Sequence, residues 1–313
     1  ILESFFLKLK TNQISTKNIT LWIKHIKKEE ENYLWVSNQM AFDLMQKGMR
    51  PPKTSLPENN PHYEMIDAQL TTEIFGLFSP AKPKIALDLS YLPIRTTARE
   101  NAADIAEFYV IMHSLASKKT SHKTIKDKIF WMAKTARLHL SDKKYPAKMF
   151  DFVYEKYLNK IPWEDARDQL NSRYQIQNKD KYFWSKRDKT CNGCFAAGIN
   201  FGASIISLLY GEGDIKETIK IASLAGWDSD NPTSTWGGLI GFMLGKEKVE
   251  EIFERKFSSQ FNIHRTRKGF SNQGKDNFRN MALKGQNIVD RVVLKKMSGV
   301  IDTVSNKWLI PID

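Results

Sequence analysis

The residues best suited to chemistry stand in one short run, Asp228-Ser229-Asp230-Asn231-Pro232. It lies between two stretches that are almost free of charge, Phe195–Tyr210 before it and Thr233–Leu244 after it. Two carboxylates two residues apart in an apolar setting repel one another and resist losing water, so a positive partner should hold them. Hard carboxylate oxygens suit Mg²⁺, Mn²⁺ or Ca²⁺ better than zinc. A plainer reading is equally open: both are solvated turn residues just before a helix, favoured there by its dipole. Pro232 suits the first helical position, which makes Asn231 the expected N-cap.

A second constellation, Cys191-x-x-Cys194, contains both cysteines of the chain. A structural zinc site needs four ligands. The six histidines (25, 62, 113, 122, 139 and 264) show no paired ligand spacing. A redox dithiol belongs at a strand-to-helix turn in a β-α-β pattern, and that pattern is missing. The expectation is two ordinary reduced cysteines, which fits a reducing, cytoplasmic setting.

The elements that must position these residues read as helices almost throughout. Apolar residues recur with helical period over 18–28 (Leu21, Trp22, Ile26), 33–47 (Leu34, Trp35, Met40, Leu44), 64–78 and 100–117. Further helices are expected at 123–138, 147–158, 163–171 and 215–225, with a short one at 84–91 that ends before Pro93. The stretch 195–210, uncharged and rich in Ala and Gly, predicts a helix buried on all sides. A polar, aromatic-rich loop is expected over 172–192, and alternating strand patterns are rare. Leu2, Phe5, Phe6 and Leu9 already share a helical face with no cap before them, so an element is expected to continue upstream of Ile1.

The bulk properties narrow the function classes. At 313 residues with 41% hydrophobic and 12% aromatic content, the chain can bury a sizeable core. Its net charge of +13 could attract nucleic acid. The lysines, however, are dispersed and offset by neighbouring acids such as Glu29 to Glu31, so a dedicated nucleic-acid surface is not expected. No stretch approaches the roughly eighteen apolar residues of a membrane span.

Three runs, L-L-Y-G-E-G-D (208–214), A-G-W-D-S-D-N (225–231) and W-G-G-L-I-G-F-M-L-G (236–245), together resemble the C-terminal signature of the ADP-ribosylglycohydrolase family. There a G-x-D-x-D-[TS] motif precedes a helix rich in Gly and Ala. A second likeness covers Asp67 to Gly76 with Pro80, and Pro93-Ile-Arg-Thr-Thr97 with the helix after it. The resemblance extends over roughly residues 30–245 and implies an all-α fold, an orthogonal multi-helix bundle around a central metal cleft. It implies two divalent ions, Mg²⁺ or Mn²⁺, and cleavage of a ribose C1″ glycosidic bond in an ADP-ribosylated protein or an ADP-ribose-like small molecule.

Carried over by position, Asp228 and Asp230 are implied metal ligands, and Asn231 stands where the family has Thr or Ser and could offer a neutral oxygen. Gly226 and Trp227 would shape the loop at the metals, with Trp227 facing substrate. Asp67, Gln69, Thr96 and Thr97 lie in segments that border the cleft in relatives. There are departures too. Ala98-Arg-Glu-Asn101 replaces the family's pattern after Thr97, and no Asp-Asp pair occurs that could supply its N-terminal T-D-D-T-like cluster. A metal pair held by Asp228, Asp230 and Asn231 alone would bind poorly. The expectation is therefore a family fragment with impaired activity, its helical domain spanning 1–250 and a basic extension, 251–313, packed on it. The alternatives are a non-catalytic relative that binds ADP-ribose or a nucleotide, and a basic nucleic-acid interaction protein.

Overall fold

A computed structural model describes residues 34–184, 191, 193–263 and 272–311. The helices expected at the start of the chain and over 18–28 lie outside these residues. Within them the architecture is all-α, and the helices run in the expected order: α1 (Val36–Gln46), α2 (Asp67–Thr72), α3 (Ile74–Leu77), α4 (Pro83–Thr97), α5 (Glu100–Ala116), α6 (Ile125–Arg137), α7 (Tyr145–Leu158), α8 (Trp163–Leu170), α9 (Ala197–Tyr210), α10 (Ile215–Leu224), α11 (Asp230–Leu244), α12 (Lys246–Ile252) and α13 (Phe278–Lys296). Two antiparallel pairs of three-residue strands flank α13: β1 (Gln260–Asn262) with β2 (Lys275–Asn277), and β3 (Val300–Asp302) with β4 (Lys307–Leu309).

The core is organised on α5. From Ile105 onward its sequence is almost wholly apolar or small, and nearly every one of those side chains is buried. Apart from one acidic stripe, on which Asp104 and Glu107 pair with Lys144 and Arg95, its surface is apolar and must be covered, and α5 touches α2, α3, α4, α6, α7, α9 and α11. The other enclosed helix is α9, as its uncharged sequence predicts, with residues 197–209 all buried. Aromatic rings join the two: Phe108 meets Phe201 edge-on with centroids 5.0 Å apart, and Tyr109 lies 5.2 Å from Trp236 of α11. The buried indole of Trp236 donates to the carbonyl of Ser204 at 2.8 Å, which satisfies the one polar group that its burial would otherwise strand.

Three expectations need correction. The helix expected to stop before Pro93 continues as α4 to Thr97. Proline lacks the N–H that would bond the carbonyl of Leu89, but the turn beyond it is secured from outside. Thr54 Oγ1 donates to the carbonyl of Thr96 at 2.8 Å and Ser55 Oγ to that of Arg95 at 2.7 Å, while Leu89 and Ile94 anchor the same helix in the core. Next, Asn231 is not the cap of α11, which starts two residues earlier than expected, at Asp230, with Ser229 before it and no side-chain cap bond. The amide of Asn231 is committed elsewhere. Finally, the two cysteines are not reduced: Cys191 and Cys194 form a disulfide. The run 64–78 also divides into α2 and α3 at Glu73, and the loop after α8 begins as a turn of π-helix over Asn171–Ile176 whose Tyr174 is buried.

The C-terminal segment packs on the helices before it. Ile288, Val289, Val292 and Val293 line one face of α13 and are buried with Phe75 and Phe78 from α3 and its end, and Leu89 of α4. No helix among the described residues is long and apolar enough to cross a membrane.

Candidate functional site

The site gathers where the start of α2, the turn before α9 and the loop before α11 meet. Backbone pairing fixes the first two. Met65 and Ala196 form an antiparallel bridge, the Ile66 N–H donates to the carbonyl of Phe195 at 3.1 Å, and the Ala197 N–H donates to that of Glu64 at 2.9 Å. Asp67 follows at once as the first residue of α2 and is buried. Its Oδ1 has no hydrogen-bond partner. Burial raises its pKa, and the smaller influences of Ser37 and the backbones of Asp67 and Asn38 do not reverse that.

The third limb turns through Gly226 and Trp227, whose φ values are +97° and +54°. Positive φ costs a non-glycine residue about 1 kcal/mol or more, so the Trp227 backbone must be held by its surroundings. Its ring packs half-buried against the core, and the next residue is anchored: the Asp228 N–H donates to Asn200 Oδ1 at 3.0 Å. Asn200, buried in α9, completes the tie by donating from Nδ2 to the carbonyls of Cys194 at 2.7 Å and Ala196 at 2.9 Å.

Asp228 and Asp230 fall together at the mouth of this junction. Asp228 is half-buried and Asp230 exposed. The Asp228 carboxyl is pushed up to about 7, first by burial, then by its hydrogen bond to Asp230 and by the charges of Asp230 and Asp67. Loss of water and a neighbouring carboxylate both disfavour the charged form of Asp228.

Behind the pair runs a network of side chains. Asn231 and Gln69 exchange hydrogen bonds, each amide donating to the other's oxygen at 3.1 Å. Gln69 Nε2 also donates to Glu73 Oε1 at 2.6 Å, and Thr235 Oγ1 donates to the same oxygen at 2.7 Å. The other carboxylate oxygen of Glu73 lies 3.6 Å from His113 Nε2, and His113 Nδ1 bonds the carbonyl of Tyr109 at 2.8 Å. This network clamps α2 and α3 to α11 and to the central α5.

Asp67, Gln69, Trp227, Asp228, Asp230 and Asn231 are thus brought to one region. Thr96 and Thr97 stand in the last turn of α4. Thr96 Oγ1 donates back to the carbonyl of Leu92 at 2.9 Å, and the buried Thr97 hydroxyl has no hydrogen-bond partner. Asn200, Glu73 and Thr235 were not legible as site residues in the sequence. The available signal was that Asn200 is an isolated strong hydrogen-bonding group inside an uncharged helical stretch.

Among the described residues, no three His, Cys, Asp or Glu side chains converge as a ready metal set. The chemistry of those present still fits a hard cation, with two carboxylates in contact and an unpartnered carboxylate oxygen on Asp67 nearby. Mg²⁺ commonly takes only one or two protein carboxylates and leaves its other positions to water and substrate phosphates.

A family model described as ADP-ribosylglycohydrolase matches residues 15–259. The chain belongs to the ADP-ribosylglycohydrolase family. The all-α architecture agrees with that membership, and the family is one of hydrolases. A separate, short likeness involves 35 residues, 86% identical to the Holliday junction branch migration complex subunit RuvA of Prochlorococcus marinus strain AS9601 and 77% identical to that of strain MIT 9301. It covers 11% of this chain and 16% of each of those proteins, too little of either to carry an argument about this one. No solved structure matches the chain.

Proposed function

We propose that this ADP-ribosylglycohydrolase cleaves the ribose C1″ glycosidic bond of an ADP-ribosylated protein or an ADP-ribose-like small molecule, with Mg²⁺ or Mn²⁺ bound at Asp228 and Asp230. The observation that carries the reading is the buried Asp67 carboxylate oxygen that has no hydrogen-bond partner, with the carboxylates of Asp228 and Asp230 close by. A divalent ion held by them would polarise a ribose hydroxyl or a water. Asp228 and Asp230 would bind the ion through hard oxygens. Gln69 and Asn231 hold the floor behind it, and Asn200 fixes the backbone from which Asp228 projects. The exposed part of the Trp227 ring offers a surface against which a ribose or adenine could rest. Asn231 already has partners for its amide, so its part is better described as orienting than as ligating.

With two carboxylates in contact and no Asp-Asp pair elsewhere in the 313 residues, we read a second metal position as weak and turnover as impaired. That shortage also favours a second reading, in which the chain binds ADP-ribose without turning it over. Titration calorimetry with Mn²⁺ tests the metal claim. Heat of binding that disappears in Asp228→Ala/Asp230→Ala supports it, and absence of binding by the unaltered chain sinks it. Given binding, release of ADP-ribose from an ADP-ribosylated protein distinguishes the two readings. Thermal stabilisation by ADP-ribose without that release favours the second.

A further inference from the structure

The disulfide lies where its state can be felt by both acidic limbs of the site. Cys191 and Cys194 enclose a four-residue loop directly before α9, and both are partly exposed to solvent. Gly193 and Cys194, inside this loop, supply two of the carbonyls that organise the junction. The Ala196 N–H donates to Gly193 at 2.9 Å, and Asn200 Nδ2 to Cys194 at 2.7 Å. From there two paths run to the acids. One passes through the side chain of Asn200, whose Oδ1 accepts the backbone N–H of Asp228. The other passes through residues 195–197, which pair with Glu64, Met65 and Ile66 immediately before Asp67.

We propose that Cys191–Cys194 is a reversible thiol–disulfide site whose oxidised form braces the Asp67 and Asp228 limbs together and whose reduced form loosens them. The co-reactant class is a dithiol. One of its thiolates attacks a protein sulfur, forms a mixed disulfide and expels the other cysteine as thiolate; its second thiol then closes on the first and releases the remaining cysteine. Net, two electrons and two protons pass from the dithiol to the protein, which ends with two free thiols. Both cysteines are partly exposed residues, which gives the attack a path. Reduction removes no hydrogen bond directly. It frees the loop that holds the Cys194 carbonyl in place, so the lock on Asn200 weakens, and with it the lock on the Asp228 amide.

The functional consequence rests on the reading of Asp228 as a site residue, but the test does not, because it measures backbone protection without metal or nucleotide. Alkylation of the folded, air-oxidised chain followed by mass spectrometry should find both sulfurs blocked. Hydrogen exchange is then followed before and after dithiothreitol. The expected result is exchange at least tenfold faster in peptides covering 226–231 and 64–69 after reduction, with 105–112 of α5 unchanged. Cys191→Ser/Cys194→Ser should match the reduced protein under oxidising conditions. Asn200→Ala should already be fast at 226–231 when oxidised and gain nothing there on reduction, while 64–69 still responds. Free thiols in the oxidised protein, equal exchange in the two states, or acceleration that includes α5 would each overturn the proposal. Chemical reduction of the unaltered chain decides the matter even if the variants fail to fold.

Discussion

Glu64 shows how far a residue's role depends on what folds around it. In the sequence it is one acid in a polar approach to α2. In the structure it is buried, with Oε2 accepting from the Tyr145 hydroxyl at 2.6 Å and Oε1 accepting from the backbone and side-chain N–H groups of Asn101 at 2.8 and 2.9 Å. Burial outweighs those three bonds and pushes its carboxyl up from 4.5 to about 7. A raised carboxyl binds its proton more tightly in the folded chain than in the unfolded one. Its contribution is therefore complete below pH 4.5 and is lost as pH rises towards 7, for a total on the order of 3 kcal/mol. Glu64→Gln keeps an acceptor for Asn101 and removes the charge. Denaturant unfolding at pH 5 and pH 8 should show the unaltered chain losing more stability over that interval than the variant. Comparing the two chains cancels the other groups that titrate there, and identical pH slopes would discard the assignment. The Asp228 and Asp230 pair was legible because two acids stand out in an uncharged neighbourhood. Glu64 was not, because its isolation comes from Tyr145 and Asn101, distant along the chain.

For the elements, period and composition identified most helices, and the enclosed character of α9 follows directly from its lack of a charged face, whereas α5 keeps one acidic stripe, Glu100, Asp104 and Glu107, on an otherwise apolar helix. Errors arose where tertiary contacts overrode a local rule. Proline should have ended α4, yet bonds from Thr54 and Ser55 secure its last turn. The start of α11 shifted because Asn231 found Gln69 rather than its own backbone. Gly76, within α3, marks a contact that composition alone does not reveal. A Cβ there would strike the carbonyl oxygen of Val110 and come within 2.6 Å of His113 Cβ and 2.8 Å of the Ser114 N, so α3 lies against the bare backbone of α5. These are mostly backbone atoms, which have little freedom to yield. Gly76→Ala should therefore destabilise by roughly 1–3 kcal/mol or more, as overpacked cores do. Because the displaced helix carries Glu73 at its start, protection of the Thr235 region should fall as well. Unfolding midpoints and hydrogen exchange check the two effects separately, and a variant as stable as the parent would show that the helices can part at little cost.

Across the whole molecule, the question is whether the basic C-terminal segment is an appendage or part of the cooperative unit. Its sequence, polar and lysine-rich before an apolar end, suggested an extension packed on the helical domain, and nothing in it named the surface it would use. That surface is a small apolar cluster in which Ile288, Val289, Val292 and Val293 of α13 cover Phe75, Phe78 and Leu89. Those three residues belong to the elements that carry Glu73 and the end of α4, so the segment buttresses the outer side of the site's scaffold. Phe75 and Phe78 also meet edge-on, with centroids 6.2 Å apart, and would lose their apolar cover without α13. If the contact is integral, Ile288→Ala should cost about 2–5 kcal/mol, the range for a deleted core isoleucine. It should also shift the entire unfolding transition rather than one phase of it. Far-ultraviolet dichroism reports the helices as a whole, and exchange in the α5 peptides reports the centre of the bundle. Both should move to lower denaturant together. A variant that releases α13 early while α5 keeps its parental midpoint would instead make the segment a separable layer, and the scaffold beneath Glu73 would then stand without it.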